Sequence, residues 1–317
     1  MEYKNRMKHT EDTMKVFKSE KSKEKILETY NQLLKMWGVS YQEKDIETAY
    51  GLTHVIECGN IENPPLVLFH GVGDNSALMW IYNAKVLSEK YHLFAIDTIG
   101  GPGKSIPNKN YNKMFDQLKW IDEILDKLKI TKTNMAGVSN GAYITQHYCI
   151  KRPERILKAI CMAGSVYDSE SSHPMKAMMK VFLPEALFPT KKNTEKLIKK
   201  LSGKNSSVFT NNKLIMEHYQ WLLKGFNNMA MSYHKLVSFH ADEIKGIQGK
   251  CLFLCGEADP LGDVEKVKGK LERHGLNYQL FPEVGHGINH EIASEINSVI
   301  LNFLGAIDAV NGRWYGW

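Results

Sequence analysis

The 317-residue chain contains no run approaching the ~20 consecutive apolar residues that a membrane-spanning helix needs. That excludes an α-helical membrane protein. The first residues, Met1-Glu2-Tyr3-Lys4-Asn5-Arg6, are polar and have no apolar core behind them. A secretory signal is therefore not expected, and the chain is expected to be cytoplasmic. Cysteine is scarce and odd in number: five residues, none at metal-ligand spacing, which argues for reduced thiols rather than a disulfide framework or a zinc site. Cys251 and Cys255 share one apolar run and read as small core hydrophobes. Internal repeats and low-complexity tracts are missing. The net charge of +6 comes without any zinc-finger, RNA-binding or basic-region pattern, so no nucleic-acid partner is expected.

What is present describes a globular enzyme. Hydrophobic residues make up 43% of the chain and charged residues 24%, and the length allows one large core with an insertion. Residues 1–19 are charged and expected to fray. Ile26, Leu27, Tyr30, Leu33, Leu34 and Trp37 fall at helical spacing with Gly38 as the stop. This amphipathic helix is expected to pack on the body, the alternative being the cover of a homodimer partner. Ile46 to Cys58 reads as a hairpin turning at Tyr50-Gly51. Apolar runs near Leu66–Phe69, His92–Asp97, Asn134–Val138, Ile156–Ala163, Lys250–Cys255 and Tyr278–Phe281 then alternate with helical segments. The alternation predicts an α/β class: a mostly parallel, twisted sheet flanked by helices. A last helix is expected over Ile288–Leu304. Between Gly164 and Gly249 the alternation stops and a helical region intervenes, its clearest helix running from Asn212 to Phe226. The expected organisation is a core of residues 20–164 and 250–317 with a helical insertion, 165–249, after the sixth strand.

Gly137-Val138-Ser139-Asn140-Gly141 carries the chemistry. A short apolar run precedes it and a helical run up to Pro153 follows, so Ser139 reads as a nucleophile on a strand-to-helix turn. The two glycines are needed because a Cβ at either would strike a neighbouring strand or helix. An ordinary glycine-rich turn is the competing reading. A serine hydroxyl needs a base, and the base an orienting carboxylate. Gly256-Glu257-Ala258-Asp259-Pro260 and Pro282-Glu283-Val284-Gly285-His286-Gly287 each follow a strand, where loops of open α/β sheets gather to form a site. His286 is the expected base, with His290 one turn beyond it. Among Glu257, Asp259 and Asp263, Asp259 is the expected acid, Glu257 a loop anchor and Asp263 a helix cap. After the strand Leu66–Phe69, the segment His70-Gly71-Val72-Gly73 can aim a main-chain N–H at a developing oxyanion. The hole is assigned to the N–H groups of Val72 and Asn140, with His70 bracing the loop.

These motifs, with Tyr50-Gly51-Leu52-Thr53-His54-Val55-Ile56, Pro64-Pro65, Phe94-Ala95-Ile96-Asp97-Thr98-Ile99-Gly100, Lys104-Ser105-Ile106-Pro107 and Arg152-Pro153-Glu154-Arg155, resemble the α/β-hydrolases. More narrowly they resemble bacterial carboxylesterases of the naproxen-esterase type, from about Trp37 to Leu304. The resemblance implies the α/β-hydrolase fold with a cap over the serine. It also implies cleavage of carboxylic esters through an acyl-enzyme, with neither cofactor nor metal, on a small-molecule ester bearing an apolar acyl or alcohol group. Two departures stand out: the loop Asp97–Ser105 is one residue longer than the common pattern, and Ala142 stands where many relatives carry Gly. The same triad serves thioester cleavage, acyl transfer, perhydrolysis and carbon–carbon cleavage. Epoxide hydrolases and haloalkane dehalogenases use Asp at the position of Ser139. A ligand receptor without catalysis is the reading of a different class, disfavoured by the complete set Ser139, Asp259 and His286. The insertion is rich in Met and aromatic residues, such as Met178, Met216, Trp221 and Met231, most of them expected to form its own core and the rest to line an apolar cavity. The lysines at 191, 192, 196, 199, 200 and 204 read as a solvated helix face.

Overall fold

Strands buried on both faces do not alternate apolar with polar residues, and the central runs of this chain are predominantly apolar. A computed structural model, describing residues 13–171 and 175–305, places them in one nine-stranded sheet. After helix α1 (Glu20–Lys35) come β1 (Tyr41–Thr48), β2 (Gly51–Cys58) and β3 (Pro65–Phe69), the short helices α2 (Ser76–Met79) and α3 (Ala84–Ser88), then β4 (His92–Ile96) and β5 (Ile106–Pro107). Helix α4 (Gln117–Lys127), β6 (Thr133–Val138), α5 (Asn140–Lys151) and β7 (Ile156–Met162) complete the first part. The helices α6 (Met175–Ala186), α7 (Lys191–Leu201), α8 (Ser207–Thr210), α9 (Lys213–Gly225) and α10 (Ala241–Lys245) then intervene before β8 (Cys251–Gly256), α11 (Val264–Arg273), β9 (Asn277–Phe281), α12 (Ile288–Glu291) and α13 (Ala293–Gly305). The sheet order is β1-β2-β4-β3-β6-β7-β8-β9, with β5 on β2. All pairs from β4 to β9 are parallel, and β2 meets β1, β4 and β5 antiparallel.

The core lies on both faces of this sheet. On β3, Leu66 and Leu68 join one buried cluster with Ile26, Tyr30, Leu33, Leu34 and Trp37 from α1 and its end, and with Ile296 and Ile300 of α13. The intervening Val67 and Phe69 join a second cluster with Trp120, Ile121 and Ile124 of α4 and Ile144 and Tyr148 of α5. The period of two along one strand thus assigns its neighbours to opposite layers.

Several boundaries differ from expectation for identifiable reasons. The hairpin begins at Tyr41, not Ile46, because β1 is an edge strand whose Gln42, Glu43, Asp45 and Glu47 are exposed and whose Tyr41, Lys44 and Ile46 are only half-covered. The two-residue β5 raises the strand count, so the insertion follows the seventh strand. The last helix is broken at Ile292 into α12 and α13. Residues 13–18, expected to fray, lie along the insertion: Lys18 N–H donates to Gly225 O at 2.8 Å, Asn227 N–H donates to Val16 O at 2.9 Å, and Val16 is buried. Residues 1–12 and the aromatic tail Arg313–Trp317 lie outside the described residues. Among the described residues no helix is long and apolar enough to cross a membrane.

The crossing from β6 into α5 demands glycine twice. A Cβ on Gly137 would sit 2.1 Å from Gly141 O, and one on Gly141 would sit 2.2 Å from Phe69 O. Both obstacles are main chain and cannot rotate away. Gly137→Ala is therefore expected to destabilise the fold by about 3 kcal/mol or more, at the upper end of overpacking costs. A urea-unfolding midpoint unchanged from the parent would contradict this close approach.

Candidate functional site

The parallel pairing from β4 through β9 puts the C-terminal ends of β3, β6, β8 and β9 on one edge of the sheet, and each of the sequence-selected residues lies just beyond one of them. Ser139 follows β6 and takes φ 57°, ψ −116°, a region that a non-glycine residue adopts only when its surroundings hold it there. They do so on both sides. Ser139 N–H donates to Met162 O at 2.8 Å, and Ser139 O accepts from Tyr143 N–H at 3.2 Å in the first turn of α5. Asn140 opens that helix, so its N–H belongs to the first turn, which has no helical acceptor and carries the positive end of the helix dipole.

Gly71 lies directly against the serine: a Cβ built on it would be 3.3 Å from Ser139 Cβ. Val72 follows and is 39% exposed. His70 is buried and neutral in character, burial pushing its pKa down. Its Nε2 accepts from Thr98 N–H at 2.9 Å and its Nδ1 donates to Gly71 O at 2.8 Å, so both ring nitrogens are spent on bracing the turn.

Beyond β8, Asp259 accepts from Leu261 N–H through Oδ1 at 2.9 Å and meets His286 Nδ1 through Oδ2 at 2.7 Å. With the proton on Nδ1 facing the carboxylate, the neutral ring keeps a lone pair on Nε2. Burial opposes the charged form of His286, but the Asp259 charge and hydrogen bond outweigh it, with Glu291 adding to them, and the pKa is raised. Glu257 has an exposed side chain and holds the loop only by its N–H, which donates to Phe281 O. Asp263 caps α11, accepting from Lys266 N–H. His290 is buried with Nε2 on Leu78 O at 3.0 Å, packs against Phe209 and Tyr82, and is pushed down to about 4 by burial.

Sequence reasoning missed Glu291. Buried in the break before α13, its carboxylate accepts from Gly203 N–H at 2.8 Å and Gly285 N–H at 3.1 Å, and burial raises its pKa. The same loop is tied to the insertion by His286 N–H on Leu201 O at 2.7 Å and by Lys204 N–H on Glu283 O at 2.8 Å. Nothing local signals the bonds to the insertion, whose partners are more than 75 residues apart. In the insertion itself, Met216, Phe226 and Met231 are buried, whereas Met179, Phe188 and Met229 are exposed. No group of three or more His, Cys, Asp or Glu residues able to hold a metal ion occurs among the described residues.

The family described as alpha/beta hydrolase fold matches residues 64–190. The chain is 38% identical over 136 residues to an uncharacterized carboxylesterase, nap, of Bacillus subtilis (strain 168), a match spanning 43% of this chain and 45% of that relative. Carboxylesterase YbfK of the same strain is 24% identical over 280 residues, covering 87% of this chain and 92% of the relative. Among solved structures, naproxen esterase (carboxylesterase NP) from Bacillus subtilis superposes with a TM-score of 0.78 at 24% identity, over 90% of this chain and 99% of the other. Sheet order alone is shared by many chemistries, and these likenesses narrow it: the chain has the alpha/beta hydrolase fold and is similar to bacterial carboxylesterases of the naproxen-esterase type.

Proposed function

We propose that the protein hydrolyses carboxylic esters with Ser139 as nucleophile, His286 as general base and acid, and Asp259 as the carboxylate that orients His286. The observation that carries this reading is the 2.7 Å bond between His286 Nδ1 and Asp259 Oδ2, since a binding module has no use for an imidazole fixed in one tautomer at the edge where a strained serine sits. His286 takes the Ser139 proton as Oγ attacks the ester carbonyl. The N–H groups of Val72 and Asn140 receive the negative charge that develops on the carbonyl oxygen. His286 then protonates the departing alcohol, and water activated by the same ring releases the acid from Ser139. The carboxylesterases to which the chain is similar support a small-molecule ester as substrate.

Hydrolysis of p-nitrophenyl esters of increasing acyl length tests the scheme. Turnover is expected for the parent and not for Ser139→Ala; a Ser139→Ala protein that keeps its activity would sink it. Failure of every ester, with Ser139 still labelled by a fluorophosphonate, would move the reading to a thioester or carbon–carbon substrate on the same residues.

Asp259→Asn is expected to lower turnover by about 10⁴, the size seen when a triad acid is neutralised. The base acts only when neutral, so kcat/KM falls as pH drops through the His286 pKa, which lies above the ordinary 6.5. Removing the Asp259 charge takes away the largest influence raising that pKa, and the acid limb of the residual activity should move to lower pH. A limb that stays in place would separate His286 from the limb.

Glu291→Ala leaves the amides of Gly203 and Gly285 without their acceptor, which should cost about 1–3 kcal/mol. It should also lower turnover, because the His286 loop loses an anchor. A denaturant melt and a turnover number both equal to the parent's would show that the carboxylate does neither.

A further inference from the structure

The segment following the proposed oxyanion donor is held by two neighbouring residues of the insertion. Asn75 Nδ2 lies 2.9 Å from His218 Nε2, and Tyr219, one position later on α9, is the electrostatic neighbour of Asp74, one position before Asn75. Consecutive residues of a loop thus meet consecutive residues of a helix 143 positions away for the Asn75–His218 pair.

The proton positions around His218 follow from its partners. Asn75 Oδ1 accepts from Leu78 N–H, so the amide nitrogen faces the ring and donates to Nε2, while also reaching Pro102 O at 3.2 Å. The opposite ring nitrogen, Nδ1, lies 2.6 Å from Thr29 Oγ1. The Thr29 hydroxyl proton is directed to the carbonyls of Lys25 and Ile26, so Nδ1–H is the donor in that pair. His218 is fully buried and burial pushes it down to about 3, which fits a permanently neutral ring with one donor and one acceptor, both used. A chain of hydrogen bonds therefore runs from α1 through α9 to the loop. Asp74 is buried beside it and accepts from Asn75 N–H at 2.7 Å. The next residue is pinned from the sheet side, Ser76 N–H donating to Asp97 Oδ1 at 2.9 Å. Upstream, a Cβ on Gly73 would touch the Phe226 ring at 3.8 Å, so the insertion also lies against the turn itself.

Within the hydrolytic reading above, we propose that His218 and Tyr219 are positioning residues: together they latch Asn75 and Asp74 and so hold the Gly71–Asn75 turn in the posture that aims Val72 N–H at the substrate oxygen. Neither residue touches the reacting atoms. Oxyanion stabilisation depends on donors already in place when charge develops, and a turn held only at its two ends would let this one drift. The insertion thereby contributes to the transition state and not solely to the shape of the pocket.

Tyr219→Phe removes one oxygen from a half-buried ring and should leave the fold intact; His218→Gln, at a fully buried site, is the companion variant. Both are assayed with a p-nitrophenyl ester and with an alkyl boronic acid, whose tetrahedral serine adduct places an oxygen in the oxyanion hole. For Tyr219→Phe, kcat should fall about tenfold, a fraction of the 10²–10³ that follows removal of an oxyanion donor. Boronate affinity should fall in step, with KM within about twofold and the thermal midpoint near the parent's. A kcat and boronate affinity equal to the parent's, or a change confined to KM, would overturn the latch. Ser139→Ala is run alongside: if it retains turnover, the triad reading fails first, whereas an inactive Ser139→Ala with an unaltered Tyr219→Phe removes the latch alone.

Discussion

The site depends on the main chain of Ser139 being kept at a positive φ. An L residue lies there at a cost of order 1–3 kcal/mol, and it stays only because strand and helix both claim it. The Ser139 N–H is spent on Met162 O of β7, and the Ser139 O receives the first turn of α5. Release of either bond would let the turn relax toward ordinary torsions and withdraw the hydroxyl from the sheet edge. The absence of side chains on Gly137 and Gly141 is what lets the strand before the serine and the helix after it come that close. Each strand of the parallel sheet then delivers its own loop to the same edge.

The insertion is tied to those loops. Leu201 and Gly203–Lys204 meet the loop bearing His286, and His218 and Tyr219 meet the turn beyond His70. The His286 loop gains a further clasp from Glu291, whose position at the break between α12 and α13 lets its carboxylate reach two amides at once. Helix α1 supports the arrangement from behind, through Thr29 on His218 and Tyr30 on Asp97. Two elements that a sequence reading treats as accessories, the leading helix and the insertion, are thereby linked to both sides of the proposed active site.

What could be read from the chain follows from where each signal is written. The buried strands were legible because parallel strands covered on both faces are predominantly apolar, and β3, β6 and β8 fall within a residue of the expected runs. The loops that carry Asp259 and His286 were legible because each follows a strand, and the structure brings these two side chains within 2.7 Å of each other. β1 was legible only in its second half, since Gln42, Glu43, Lys44 and Asp45 carry the polarity of an edge. Glu291 and His218 left no mark at all. One is a carboxylate in a helical run and the other a histidine on an amphipathic helix, and each acquires meaning from a group the fold brings from far along the chain, the Gly203 amide for Glu291 and the Asn75 side chain for His218. The methionines of the insertion sorted into core and surface only once α9 and the segment after it were placed.

The pairing of Ala159 on β7 with Cys251 on β8 closes a loop that contains the whole insertion. Closure entropy grows only with the logarithm of loop length, so lengthening or trimming the region between its anchor points changes the free energy of folding little. Moving an anchor is another matter, because the main-chain atoms of residues 201–204 and the side chains of 218–219 must arrive at fixed places. Variation among proteins of this architecture is accordingly expected to accumulate in the helix α6 and its exposed approach to α7, with the anchors resisting it. Substrate range can then diversify through insertion and deletion in one segment while the geometry at the sheet edge stays the same.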